Sequence, residues 1–377
     1  MPGLRPLSPS APDQPGDPEI RVISLTPPEV AELEKDPGFL ALTPAMPTRQ
    51  IAPEPMDEVR SDDLVPGWGI NAVGADRTQR TGRGARIALL DTGIDARHPC
   101  FRKLSLTTRD FVGTGLEDVN GHGTHLAGTV LGRDMGGVRI GVARGMTSLI
   151  VAKALSDAGQ GTSDGFLRAL LWAYEQGAQA VGFALSYDTT AQIEAFQDQG
   201  YPLPLATQEA VHAHRGNLRV VEHLLRLMDP ARRPLIVAAV GNDSLRTISP
   251  QFDSGPSSPA AARGVLTVGA LGPGEAGLTP APFSNRGPFL TAPGVGIISA
   301  SAGDGVRSLN GSSMAMAHAL GVAALWIEKL QEAGEPVTAE TLGTALMGSA
   351  TLEGLAPGLG MFDRGEGLVR VPRSSLD

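Results

Sequence analysis

Three short stretches carry residue types able to do nucleophilic chemistry: Asp91-Thr92-Gly93, Gly121-His122-Gly123-Thr124-His125 and Gly311-Ser312-Ser313-Met314-Ala315. They supply an acid, a base and a hydroxyl in the chain order Asp, His, Ser. A serine hydroxyl is a poor nucleophile at neutral pH. A histidine must take its proton and later pass it to the leaving group, while a buried carboxylate holds the imidazole in one tautomer. The run Val237-Ala238-Ala239-Val240-Gly241-Asn242 ends in an amide side chain that can donate to a developing oxyanion. Each residue alone has a plainer explanation: Asp91 and Ser313 as caps, His122 as a structural histidine, Asn242 as a turn residue. Together, in order and flanked by glycines, they point to acyl transfer from peptide bonds.

The elements that must position these groups are legible as alternating strands and helices. Buried-strand runs occur at 85–90, ending at Asp91, and at 149–155, 178–186, 234–240 and 264–271. Helical patterns follow at 124–131, 165–176 and 314–330. Such alternation predicts an α/β fold with a mainly parallel sheet covered on both faces, a three-layer α/β/α arrangement. In such folds functional groups gather at the carboxyl ends of the strands, where Asp91 stands. His122 and Ser313 are each placed near the start of a helix, and a helix start favours developing negative charge.

The chain divides at composition shifts. Residues 1–19 read as a disordered leader and 20–66 as a separate segment with a linker. Within it, 19–25 alternates at period two, Thr26-Pro27-Pro28-Glu29 reads as a helix start, Asp36-Pro37-Gly38 as a stop, and 39–43 as a second extended run, giving strand–helix–strand. The main domain spans 67–377, with a helical insertion at about 187–233 whose stripe Leu218, Val221, Leu225 and Met228 predicts a buried helix face.

The net charge of -9 and the lack of a basic run argue against nucleic acid as a partner. The single cysteine, Cys100, excludes an intrachain disulfide. The Pro- and Ser-rich beginning has no apolar core of a secretory signal, so the expectation is either an intracellular protein or one whose signal has been removed. No run is apolar enough to span a membrane.

With these motifs the chain resembles the subtilisin-like serine proteases, the subtilases, over residues of about 67–370. Asp91-Thr92-Gly93-Ile94-Asp95, Asn120 to Thr129 and Gly311 to Ala315 are similar to that family's aspartate, histidine and serine motifs. Phe283-Ser284-Asn285-Arg286-Gly287 and Ala292-Pro293-Gly294 are supporting landmarks. The resemblance implies a serine endopeptidase with Asp91 as orienting acid, His122 as general base, Ser313 as nucleophile and Asn242 as oxyanion donor. It also implies that substrate backbone binds as an added strand between Gly159-Gln160-Gly161 and Ala184-Leu185-Ser186. Ser186 stands where the family has glycine, which implies a narrower or more polar wall. Residues 20–52 resemble the end of a propeptide, an intramolecular inhibitor cleaved between 52 and 66. No cofactor is implied. Calcium could be held by Asp110, Glu117 and Asp118, although a solvated acidic loop is the simpler expectation. A latent zymogen, or a non-catalytic peptide binder using the same cleft, is the alternative.

Overall fold

A computed structural model describes residues 19–54 and 67–372. All but the last residue of the expected leader, 1–18, and most of the expected linker, 55–66, lie outside the described residues.

The strands are β1 (Pro47–Gln50), β2 (Ile87–Asp91), β3 (Ser105–Asp110), β4 (Ser148–Lys153), β5 (Gln160–Thr162), β6 (Ala180–Phe183), β7 (Leu185–Tyr187), β8 (Leu235–Ala239), β9 (Val265–Gly274), β10 (Gly277–Pro280), β11 (Leu290–Pro293), β12 (Ile297–Ala300) and β13 (Val306–Leu309). The helices that matter here are α1 (Pro27–Leu33), α2 (Trp68–Val73), α3 (His122–Leu131), α4 (Ser163–Glu175), α5 (Thr189–Asp198), α6 (Leu203–Leu227) and α7 (Ser312–Glu332).

Among the described residues eight strands form one sheet in the order β10-β9-β8-β6-β2-β4-β3, with β11 also paired to β9. The ladders from β3 through β9 to β11 are parallel, and only β10 is antiparallel. Burial on both faces follows from side-chain alternation. Ile87 and Leu89 of β2 pack into one core with α3 and α7, while Ala88 and Leu90 pack into the other with α4. β8 repeats this, with Val237 and Ala239 on one side and Ile236 and Ala238 on the other. Successive residues of a strand point to opposite faces, so a strand covered twice must be apolar throughout. The three-layer arrangement follows.

The segment read as strand–helix–strand differs from that expectation. Residues 19–25 and 39–43 form no strand, although α1 forms between them. Their alternation meets no partner edge: Val22, Ile23 and Leu40 stay more than half exposed. The strand lies further on, at β1, in a three-stranded antiparallel sheet ordered β5-β1-β7. The stretch at 178–186 also divides. β6 enters the main sheet and β7 turns out of it to pair with β1. Between β7 and β8 the chain forms two helices, α5 and α6. α6 buries Val221 and Leu225, and Met228 just beyond its end is buried too, while Leu218 is only partly covered.

No helix among the described residues is long and apolar enough to cross a membrane.

Candidate active site

Asp91 is the last residue of β2, an interior strand of the sheet between β6 and β4, and His122 is the first residue of α3. Gly121 caps α3 at φ 86°, a left-handed value that favours glycine. At Gly123 the α3 backbone meets the turn after β2 so closely that a Cβ would lie 2.2 Å from the Gly93 carbonyl oxygen. Only glycine lets the two elements approach this way. The approach brings His122 Nδ1 to 2.8 Å from Asp91 Oδ1. A carboxylate only accepts, so the proton sits on Nδ1. In the neutral ring Nε2 is then a bare acceptor. That atom is buried and has no hydrogen-bond partner among the described residues. Asp91 Oδ1 is held further by the Thr92 amide at 2.8 Å.

Two further residues brace this pair, one not singled out from sequence and one read there in another role. Lys153, at the end of β4 and 1% exposed, donates through Nζ to Thr92 O (2.7 Å), Glu117 O (2.8 Å) and Asp157 Oδ1 (2.6 Å). It ties the loop after Asp91 to the loop before His122. Asp118 is the other. Expected as a solvated acid or calcium ligand, it is buried and accepts from the Gly121 and Thr124 amides and the Thr92 and Thr124 hydroxyls. Asp110 likewise spends its oxygens on the amides of Val112, Gly113 and Gly115. No group of three or more acidic, histidine or cysteine residues able to hold a metal gathers among the described residues. The carboxylates of Asp110 and Asp118 are thus engaged by protein donors. The signal for Asp118 in the sequence was its place just before the Asn120-Gly121-His122 turn, where free amides must find acceptors.

Ser313 belongs to the first turn of α7, as its second residue; Gly311 is the capping position, so the N-cap explanation for Ser313 does not apply. Asn242 follows β8 at the same end of the sheet. Its Oδ1 accepts from the Ser312 amide at 2.9 Å and the Ser312 hydroxyl at 2.8 Å. An N–H needs an acceptor, so the amide orientation is fixed with Nδ2 turned to the cleft. Asn285, noted only as a landmark, steadies the turn behind it: its Oδ1 accepts the Asp243 and Ser244 amides at 2.8 and 3.0 Å.

The cleft is filled by the chain's own N-terminal segment. β1 runs antiparallel to both edges, with Arg49 opposite Gln160 and Ser186, and Thr48 opposite Gly161. Gln50 donates its amide to Gly159 O at 2.7 Å, and Ile51 donates to Ala184 O at 3.0 Å. The expected edge residues Gly159, Gln160, Gly161, Ala184, Leu185 and Ser186 thus all border the inserted strand. The Ser186 hydroxyl donates to the Tyr187 carbonyl, away from that strand. Ser313 Oγ donates to Ile51 O at 3.2 Å, and Asn242 Nδ2 donates to Ala52 O at 2.9 Å. Beyond them Glu54 bridges to Asn310. The segment therefore passes over the serine, with Asp91, His122 and Ser313 all buried.

Charge reinforces the register. Arg49 pairs with Asp243 at 2.9 Å. Burial works to raise the Asp243 carboxyl, but hydrogen bonds from Asn285 and Ser257 and the charge of Arg49 outweigh it and hold it below the usual carboxylate range. Elsewhere burial dominates. With the charge of Arg307 beside it, burial pushes His125 down to about 3; it takes His318 to about 4, and it pushes the Cys100 thiol up to about 12, so that this cysteine is inert at neutral pH.

Residues 82–368 match the model of the Subtilase family. Among curated proteins the chain is 30% identical over 286 residues to "Subtilisin-like protease 6" of Arthroderma gypseum, covering 73% of this chain and 62% of that protein. It is 31% identical over 297 residues to the protein of that name from Trichophyton equinum, and 32% over 297 residues to the one from Trichophyton verrucosum. In both cases the match covers 74% of this chain and 62% of the relative. The chain thus spans less than two thirds of the length of these relatives.

Proposed function

The chain belongs to the subtilase family, as its match over residues 82–368 establishes, and from that premise we propose that it is a serine endopeptidase acting through an acyl-enzyme on Ser313. Ser313 Oγ attacks the carbonyl carbon of a bound peptide while its proton passes to His122 Nε2. Asp91 holds the imidazole and stabilises the cation that forms. The oxygen gains negative charge and receives the Nδ2–H of Asn242 at the start of α7, where the helix end favours an anion. The C–N bond then breaks and the amine leaves with the proton from His122. Water repeats the sequence in reverse and releases the acid. No cofactor enters. The observation that carries this reading is the bare, buried Nε2 of His122, with the 2.8 Å bond to Asp91 behind it.

The segment in the cleft supports a second element of the proposal: it is an intramolecular inhibitor and the enzyme's first substrate. Its register favours the Ile51–Ala52 bond for cleavage, just ahead of the 52–66 stretch expected from sequence, because the Ile51 amide is paired to Ala184 O on the edge and Ile51 O meets Ser313. Asn242 Nδ2 rests on the next carbonyl, Ala52 O, in this latent arrangement and must move to Ile51 O for that bond to be cut. A latent form is then the natural resting state. A purely peptide-binding role leaves the His122–Asp91 pair without purpose.

Intact-mass analysis tests both. The wild-type chain is expected to accumulate a product beginning at Ala52, while Ser313→Ala keeps its full mass and hydrolyses no added protein. Full-length chains persisting in a sample that digests other proteins would remove the self-cleavage. Equal turnover in Ser313→Ala would remove the nucleophile.

A further inference from the structure

Helix α6 has no role in the chemistry above, yet it holds the stretch of segment that precedes β1. Asn217, 1% exposed in the middle of α6, donates from Nδ2 to Pro44 O at 2.8 Å and lies 3.3 Å from Thr43 Oγ1. The Thr43 hydroxyl donates back to Ala213 O at 3.3 Å. At Gly216 the segment comes so close that a Cβ would lie 2.3 Å from Thr43 Oγ1. Met46 is buried with Tyr187 and Ala213 in a small apolar cluster separate from both main cores. Its own backbone is gripped on both sides, its amide by Ser163 Oγ at 3.0 Å and its carbonyl by the Ser163 amide at 2.8 Å.

We propose that α6, the start of α4 and the end of β7 form a distal subsite for extended polypeptide substrates, reaching well upstream of the residue whose carbonyl meets Ser313. This rests on the reading of the cleft as a peptide site. Most of the contacts are to main-chain atoms at Pro44 and Met46, so they accept many sequences. One pocket, between Tyr187 and Ala213, reads a side chain and fits a long unbranched apolar one, at Met46, about five residues before Ile51 at the serine. The Asn217 amide spends one N–H on Ala213 O within its own helix, at 2.9 Å, and the other on Pro44 O. Once the tethered segment departs, that second N–H faces an open groove, and an incoming backbone carbonyl restores its bond. Short peptides that stop at the β1 register leave this groove empty. The enzyme accordingly favours unfolded or extended chains over small peptides.

The test uses the full-length protein with its own segment disabled by Met46→Asp and Ile51→Asp. Two labelled peptides are titrated by fluorescence anisotropy, one with the sequence of residues 43–51 and one with that of 48–51. Both end at the isoleucine, so neither contains the bond to be cut. The longer peptide is expected to bind at least tenfold more tightly. Placing aspartate at its methionine position, or Asn217→Ala in the protein, removes that advantage, and the four-residue peptide serves as the control for a folded cleft. Equal affinities, or no binding of either peptide, overturn the subsite. Labelling of Ser313 by a fluorophosphonate in the same samples reports separately on the catalytic reading. Label without length dependence sinks only the subsite; length dependence without label sinks the hydrolase and leaves a peptide groove.

Discussion

Ile51 anchors the segment that closes the cleft, and Ile51→Ala measures how firmly. The side chain is 4% exposed and packs into the larger of the two main cores. Truncating a buried isoleucine to alanine costs about 2–5 kcal/mol, through lost burial and the cavity left behind. In this case the lost energy holds the segment against the body, so most of it is released when the segment lifts rather than when the whole protein unfolds. Taking the low end of about 2 kcal/mol, because water can enter a cleft more readily than a core, the open population rises about 30-fold. Hydrogen exchange reads this directly at the amides of Gln50 and Ile51, which donate to Gly159 O and Ala184 O. The measurement is made in the Ser313→Ala background, so that no cleavage intervenes. Exchange at these two amides is expected to accelerate about 30-fold or more, while amides of β2 and β4 keep their protection. Unchanged exchange at residues 50 and 51 would show that burial of Ile51 does not hold the segment, and the reasoning from burial to latency would fail.

Asn242→Ala removes the proposed oxyanion donor and is expected to lower turnover about 10²–10³-fold with little change in KM, the range measured for such a donor in subtilisin itself; a loss under about threefold in steady-state kinetics contradicts the role. Asp118→Ala orphans the buried amides of Gly121 and Thr124 and is expected to cost at least about 2 kcal/mol in urea unfolding, with a fall in turnover as α3 loosens. His125 and His318 are buried with folded-state values near 3 and 4, below the 6.5 of the unfolded chain, so the unfolded state binds more protons across that window. Their stabilisation is complete above about pH 6.5 and is lost as pH falls toward those values, with a slope of up to about 1.4 kcal/mol per pH unit for each histidine; urea midpoints that stay flat between pH 7 and 5 would refute it.

The parts of this site that were legible in the sequence are those set by local rules. Asp91 was found because a run of apolar residues must end where a buried strand ends, and His122 because the glycines on either side announce a close approach. Asn242 was readable as the polar residue closing the β8 run. What escaped was set by distant pairing. β1 carries Pro-Thr-Arg-Gln, with no apolar alternation, because backbone bonds to two edges more than a hundred residues away hold it rather than a buried face. Residues 19–25 have the alternation and no edge to meet. Lys153 escaped, and the bracing role of Asp118 with it, for a related reason: many of their partners are main-chain amides and carbonyls, which leave no trace in side-chain identity. α5 was missed because its face toward the protein buries little beyond Gln192. For the same reason the hold of α6 on residues 43–46 could be read only from coordinates.

The central claim is that Ser313 is activated by His122 and Asp91. A fluorophosphonate probe tests it most directly, applied to the full-length protein carrying Ile51→Ala so that the cleft is open, with the labelled peptide mapped by mass spectrometry. The account predicts label on Ser313 that vanishes in His122→Ala. Label elsewhere, or label on Ser313 that persists undiminished without His122, would contradict it.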